Sequence, residues 1–111
     1  MAQDFEKARA SSISNSSGSP TTILTSNSDD ALVSVRFVNK HTSSVNVSAV
    51  ISSGGTDFFL QKDSPVSVGG ALELIDSGSK LVMQNGEVLK VYADTASAVD
   101  CHVSFVDSIS T

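Results

Sequence analysis

The residues of this chain best suited to chemistry are two histidines, His41 and His102, one cysteine, Cys101, and the paired aspartates Asp29-Asp30. A zinc or iron centre needs three or four such ligands at readable spacing, and His41 falls in a polar turn while His102 has no partner nearby. Asp29-Asp30 and Asp100 offer oxygen ligands for calcium, but an acidic pair directly before a strand reads as ordinary turn chemistry. With 22 serines in the chain, some Ser/His/Asp combination arises by chance and carries no weight as a triad. Gly54-Gly55 and Gly69-Gly70 lack the following lysine and helix of a phosphate loop, so they read as turns. Cys101 lies on the apolar parity of its segment, which predicts a buried, inert thiol. No catalytic residue, metal ligand or cofactor is expected, and the chain does not read as an enzyme.

These residues sit on strands. Val45, Val47, Ala49 and Ile51 alternate with Asn46, Ser48, Val50 and Ser52, and Val99, Cys101, Val103 and Phe105 alternate with Asp100, His102, Ser104 and Val106. A period of two places one face in a core and the other in water. Further segments read as strands at Thr22–Thr25, Leu32–Asn39, Asp57–Gln61, Val66–Val68, Ala71–Ile75, Lys80–Gln84 and Val88–Ala93. On Leu32–Asn39 the alternation puts Val33, Val35 and Phe37 on one face and Arg36 on the other. The turn at Lys40–Ser44 suggests a hairpin between Leu32–Asn39 and Val45–Ser52, and Asn85-Gly86 is the strongest hairpin signal. About eight short strands at turn spacings near ten residues predict an all-β antiparallel sandwich, jelly-roll or immunoglobulin-like.

The length of 111 residues suits one domain. Within it, residues 1–22 are expected to form an arm and residues 23–111 the sandwich. Asp4, Glu6, Lys7 and Arg9 around Phe5, Ala8 and Ala10 favour a short helix or an adaptable tip. Residues 11–22 read as a flexible Ser-rich tether whose one large apolar group is Ile13. Phe5, Arg9 and Ile13 are therefore the candidate assembly contacts.

Charged residues make up 17% of the chain, against roughly 25% in an average domain. Ser and Thr fill the difference, at about one residue in four. A hydroxyl-rich surface suits packing beside many copies of itself, because clustered like charges would repel. The net charge of −5, with seven scattered Lys and Arg, argues against nucleic acid as a partner. No apolar run is long enough for a membrane span. The first residues lack the basic and apolar regions of a signal peptide, which predicts synthesis in a cytoplasm. A single cysteine forms no intrachain disulfide. Tyr92, sharing parity with Val88 and Lys90, reads as an outward ring, and one ring is a thin platform for a carbohydrate.

The stretch from Val33-Ser34-Val35-Arg36-Phe37-Val38-Asn39 through Val45–Val50 and Pro65–Leu74 to Lys80-Leu81-Val82-Met83 resembles small β-sandwich structural proteins of tailed bacteriophage virions. Gly86-Glu87-Val88-Leu89-Lys90-Val91 is similar to a Gly-Asp-x-Leu-x-Val segment common there, with Glu for Asp, and Val99–Val106 supplies the closing strand. The resemblance implies a virion component present in many copies, made in the host cytoplasm, whose partners are other copies of itself and a major capsid or tail/neck protein. A capsid decoration or cement protein is the expected role, and a tail- or neck-associated fibre or adhesin module is the alternative.

Overall fold

The alternating segments become nine strands in a computed structural model that describes residues 4–16, 18–26, 28–75 and 81–107. In chain order they are β1 (Asp4–Ala10), β2 (Thr21–Thr25), β3 (Asp30–Asn39), β4 (Val45–Ser53), β5 (Thr56–Val66), β6 (Ala71–Ile75), β7 (Leu81–Met83), β8 (Val88–Ala93) and β9 (Val99–Asp107). One sheet runs β1-β9-β3-β6, with β7 paired to β3 beside β6, and the other runs β2-β8-β4-β5. Among the described residues every pairing is antiparallel.

Pairs β1·β9, β2·β8, β3·β6 and β4·β5 are the rungs of one long hairpin with its tip between β4 and β5. Rolling that hairpin brings β9 against β3 and β8 against β4, which is the jelly-roll arrangement of two four-stranded sheets, here with β7 added. The immunoglobulin-like alternative fails on strand order, since the first strand there does not pair with the last.

Rolling also explains which turn signals point to true hairpins. Ser53 faces Thr56 across Gly54-Gly55, whose φ angles of 60° and 87° are those of a type I′ turn. Asn85-Gly86 closes no hairpin, because β7 lies in one sheet and β8 in the other. Gly86 alone has positive φ (90°), and Glu87 N–H donates to the Gln84 carbonyl at 3.0 Å, the pattern of a type II turn. The expected hairpin at Lys40–Ser44 is likewise a crossing from β3 in one sheet to β4 in the other. The expected strand at 57–61 extends through Val66 as one edge strand, β5, while Val68, expected in a strand of its own, lies in the turn that follows. β5 tolerates Pro65 because its outer side has no partner strand.

The core lies between the sheets and is largely aliphatic: Leu32, Val35, Phe37, Val103 and Phe105 face Val47, Ala49, Ile51, Leu89 and Val91. In β3 the parity differs from a simple alternation. Leu32 pairs with Phe105 and Ser34 with Ser104, so Val33 is the extra residue of a bulge and Leu32 takes its place in the core. Cys101 is fully buried, and burial pushes its thiol pKa up to about 12.

Residues 4–10, expected as a helix or adaptable tip, form β1, paired with β9 in unbroken register from Asp4↔Asp107 to Ala10↔Cys101. Ala8 and Ala10 lie over the core side, and their small size hides the period of two in the sequence. Pairing satisfies the edge of β9, a gain that helix propensity over seven residues does not match. The segment that follows is anchored as well. Ile13 is 1% exposed, its N–H donates to the Val99 carbonyl at 2.9 Å, and Ala93 N–H donates to the Ser14 carbonyl at 2.8 Å.

One end of the sandwich closes on Asn39, which is buried. Its Nδ2 donates to the carbonyls of Ser43 (3.0 Å) and Val66 (2.9 Å), and its Oδ1 accepts from His41 N–H (2.8 Å). Its own N–H donates to the Gly70 carbonyl at 2.9 Å, so one side chain and one amide tie two crossings together.

Two substitutions test these anchors by urea denaturation. Ile13→Ala is expected to cost about 2–5 kcal/mol, the range for a buried aliphatic truncation, where a free tether would give none. Asn39→Ala is expected to cost about 1–3 kcal/mol, because it removes a donor from the Ser43 and Val66 carbonyls and the acceptor of the His41 amide.

Candidate functional site

The inner faces are filled by the core, so contact chemistry falls to the two outer faces. On the β1-β9-β3-β6 sheet, register sets one row straight across four strands: Arg9 opposite His102, His102 opposite Arg36, Arg36 opposite Glu73. The next row holds Lys7, Ser104 and Ser34, and the one beyond pairs Phe5 with Val106. Three of the seven Lys and Arg of an acidic chain thus share one face with His102. Glu73 is the acid in that row, where its Oε1 is 2.9 Å from Arg36 Nε and its other oxygen accepts from Ser34 Oγ. Ser34, Arg36, Val38, His102 and Ser104 line a shallow depression of about 330 Å³ on this face.

Of the three candidate contacts, the fold separates one from the other two. Phe5 is 83% exposed on the outer face, and Arg9 is exposed four residues along the same side of β1. Ile13 belongs to the core of its own chain and is not on the surface. Sequence reasoning missed His102 and Arg36 as neighbours of Arg9, because strands that far apart in the chain meet only through register.

At the end of this face Lys40 Nζ lies 2.9 Å from Asp100 Oδ1, which also accepts from Ser12 N–H at 3.0 Å. The Lys40 ammonium first, and the Ser12 amide second, hold the Asp100 carboxyl below its ordinary value of 3.8. The bridge ties the β3–β4 connection to β9, and the Ser12 amide adds the β1–β2 connection.

On the opposite outer face, of the β2-β8-β4-β5 sheet, an open cleft of about 510 Å³ is lined by Asn15, Phe59, Lys62, Asp63, Tyr92, Ala93 and Asp94. Tyr92 points outward between the buried Val91 and Ala93, as its parity predicts. Phe59, opposite Val50 on β5, brings a second ring to this face, with Lys62 Nζ 5.3 Å from the ring centroid. Phe58, its chain neighbour, lies on the other side of the strand and is also exposed. Two register shifts in β5 re-aim the chain here, and Asp63 adopts φ 51° while its N–H donates to Ser48 Oγ at 2.9 Å.

The remaining acidic pair is turn chemistry. Asp30 is buried and accepts from Ser26 Oγ at 2.9 Å and from Ser28 Oγ at 3.3 Å. Among the described residues, no group of three or more His, Cys, Asp or Glu is placed to hold a metal ion.

No protein-family model matches this chain, and no curated protein does. Among solved structures it is similar to a chain in the structure of the infectious bursal disease virus Gx strain. The TM-score is 0.56 at 7% identity, over 100% of this chain and 34% of that one. The two share a fold, and this chain spans about a third of the length of its neighbour.

The Lys40–Asp100 bridge carries a pH signature. A depressed folded pKa means that its stabilisation is full above pH 3.8 and is lost as the pH falls through the folded value. Both partners are partly exposed and screened, so Asp100→Asn is expected to cost about 0.5–1 kcal/mol at pH 7. The difference from the parent protein should shrink towards zero in strong acid, as read by thermal melts across the pH range.

Proposed function

We propose that this chain is a structural protein of a tailed-phage virion, made in the host cytoplasm and attached in many copies to the capsid as a decoration or cement protein. The observation that carries the reading is the outer face of the β1-β9-β3-β6 sheet. A ring left 83% exposed at Phe5, on the same outer face as Lys7, Arg9 and Arg36, is unusual on an acidic, sparsely charged protein. Such a face fits an acidic, partly apolar partner surface, and burying Phe5 would contribute about 1.5–3 kcal/mol before ordering costs.

The jelly-roll fold and the likeness to a chain of a virus structure support the virion reading at the level of fold. The hydroxyl-rich surface supports close packing of copies. One observation favours a second reading, a tail- or neck-associated module that contacts the host: the two-ring cleft on the opposite face.

The anchoring of Ile13 and β1 changes how attachment should be probed. Deleting residues 1–22 would uncover the edge of β9 and open the core, so loss of attachment after deletion would say nothing about the face. Surface substitutions avoid that. Mass spectrometry of purified virions of the source phage is expected to find the chain in many copies per particle. Arg9→Glu with Phe5→Ser should lower incorporation at least tenfold while leaving the melting temperature within a few degrees. Absence of the chain from purified virions refutes the virion role, and undiminished incorporation of the double variant refutes the attachment face.

A further inference from the structure

We infer that the cleft between Phe59 and Tyr92 is a binding site for a neutral saccharide. This inference goes beyond the virion reading and holds independently of it.

Three separate segments build the cleft, and each is fixed by the backbone. Tyr92 and Asp94 sit at the end of β8, where Asp94 N–H donates to the Asn46 carbonyl at 2.9 Å and Asp94 Oδ1 accepts from Asn46 N–H at 3.1 Å. Asp63 is held by its amide on Ser48 Oγ in the irregular part of β5. Asn15 follows Ser14, whose carbonyl accepts from Ala93 N–H. The walls therefore stand in place before any ligand arrives, which lowers the ordering cost of binding.

The chemistry of the lining selects the ligand class. A pyranose offers an apolar face of C–H groups and a rim of hydroxyls that both donate and accept. Two aromatic rings on one sheet face suit the first, and the Asp63 and Asp94 carboxylates with the Asn15 amide and Lys62 ammonium suit the second. Among the described residues, the Tyr92 hydroxyl and the Asn15 side-chain amide have no hydrogen-bond partner and are free for a ligand. Two carboxylates against one lining ammonium disfavour phosphorylated or acidic sugars. The cleft is open and half polar, with a volume of about 510 Å³, unlike the enclosed apolar pocket of a lipid or drug-like ligand. Phe59 is 49% exposed although it lies on a sheet face, and a stacked sugar ring would cover it.

The test uses the full chain on a glycan array, followed by titration calorimetry with the strongest neutral saccharide found. Saturable binding is expected, weakened at least tenfold by Tyr92→Ala and by Phe59→Ala and unchanged by Phe58→Ala, which alters the other side of the same strand. Asn15→Ala, at an exposed loop position, should weaken binding severalfold and serves if a ring variant misfolds. No saturable binding to any neutral glycan overturns the inference, as does binding confined to acidic glycans or binding indifferent to both rings. Because the assay contains no virion, its failure leaves the attachment reading untouched, and a failed incorporation assay leaves the cleft untouched.

Discussion

Everything in this molecule depends on the packing of β3 and β9 against β4 and β8. These four strands are the centres of the two sheets, and they carry Leu32, Val35, Phe37 and Val103 on one side and Val47, Ala49, Leu89 and Val91 on the other. With no Trp and few aromatic rings, the core has little large-ring area, so its stability rests on closely fitted aliphatic side chains. The outer strands β1, β2, β5 and β6 then extend the sheets that this contact holds together. Because the first half of the chain pairs with the second, this contact forms only when distant segments have met. Asn39 secures one end of that arrangement: its polar groups are all engaged, so a buried amide is compatible with the core instead of a liability.

Period-two alternation made most strands legible, because a half-buried strand writes its two faces directly into the residue order. What the alternation hides is any place where the fold inserts a residue or uses small side chains. Val33 shows the first case: the sequence puts it with Val35 and Phe37, whereas one bulged residue shifts the parity and buries Leu32. Residues 4–10 show the second, since alanines on the inward parity look like helix formers until the open edge of β9 is taken into account. Turn signals report local chain reversal and nothing about which sheet the next strand joins. Gly54-Gly55 lies at the tip of the rolled hairpin and reads correctly, while Asn85-Gly86 and Lys40–Ser44 reverse the chain across the sandwich. Ile13 reads as an isolated group on a tether because the backbone partner that anchors it, the Val99 carbonyl, comes from the far end of the chain.

The outer faces were less legible for a related reason. Exposure of Tyr92 follows from parity and that of Phe5 and Arg9 only from the strand that residues 4–10 form, while the neighbours of all three are set by register across strands distant in sequence. Arg9, His102 and Arg36 are scattered in the chain and form a row only once β1, β9 and β3 lie side by side. Tyr92 gains its companion ring because the shifts in β5 and the register of β4 place Phe59 and Lys62 on the same surface. A composition that argues against clustered charge is therefore compatible with a locally cationic face.

The architecture also decides whether the two surfaces compete. They lie on opposite sides of a sandwich whose sheets are spaced about 10 Å apart, with the core between them. A partner covering the β1-β9-β3-β6 face cannot reach the Phe59–Tyr92 cleft without wrapping round an edge strand. Attachment through the first face leaves the second directed away from the attachment surface. The residues forming the two faces alternate along the strands with those of one shared core, so each face can be altered by substitution without touching the packing that supports the other. On the proposed reading, a single short domain holds a particle with one side and presents its Phe59–Tyr92 cleft on the other.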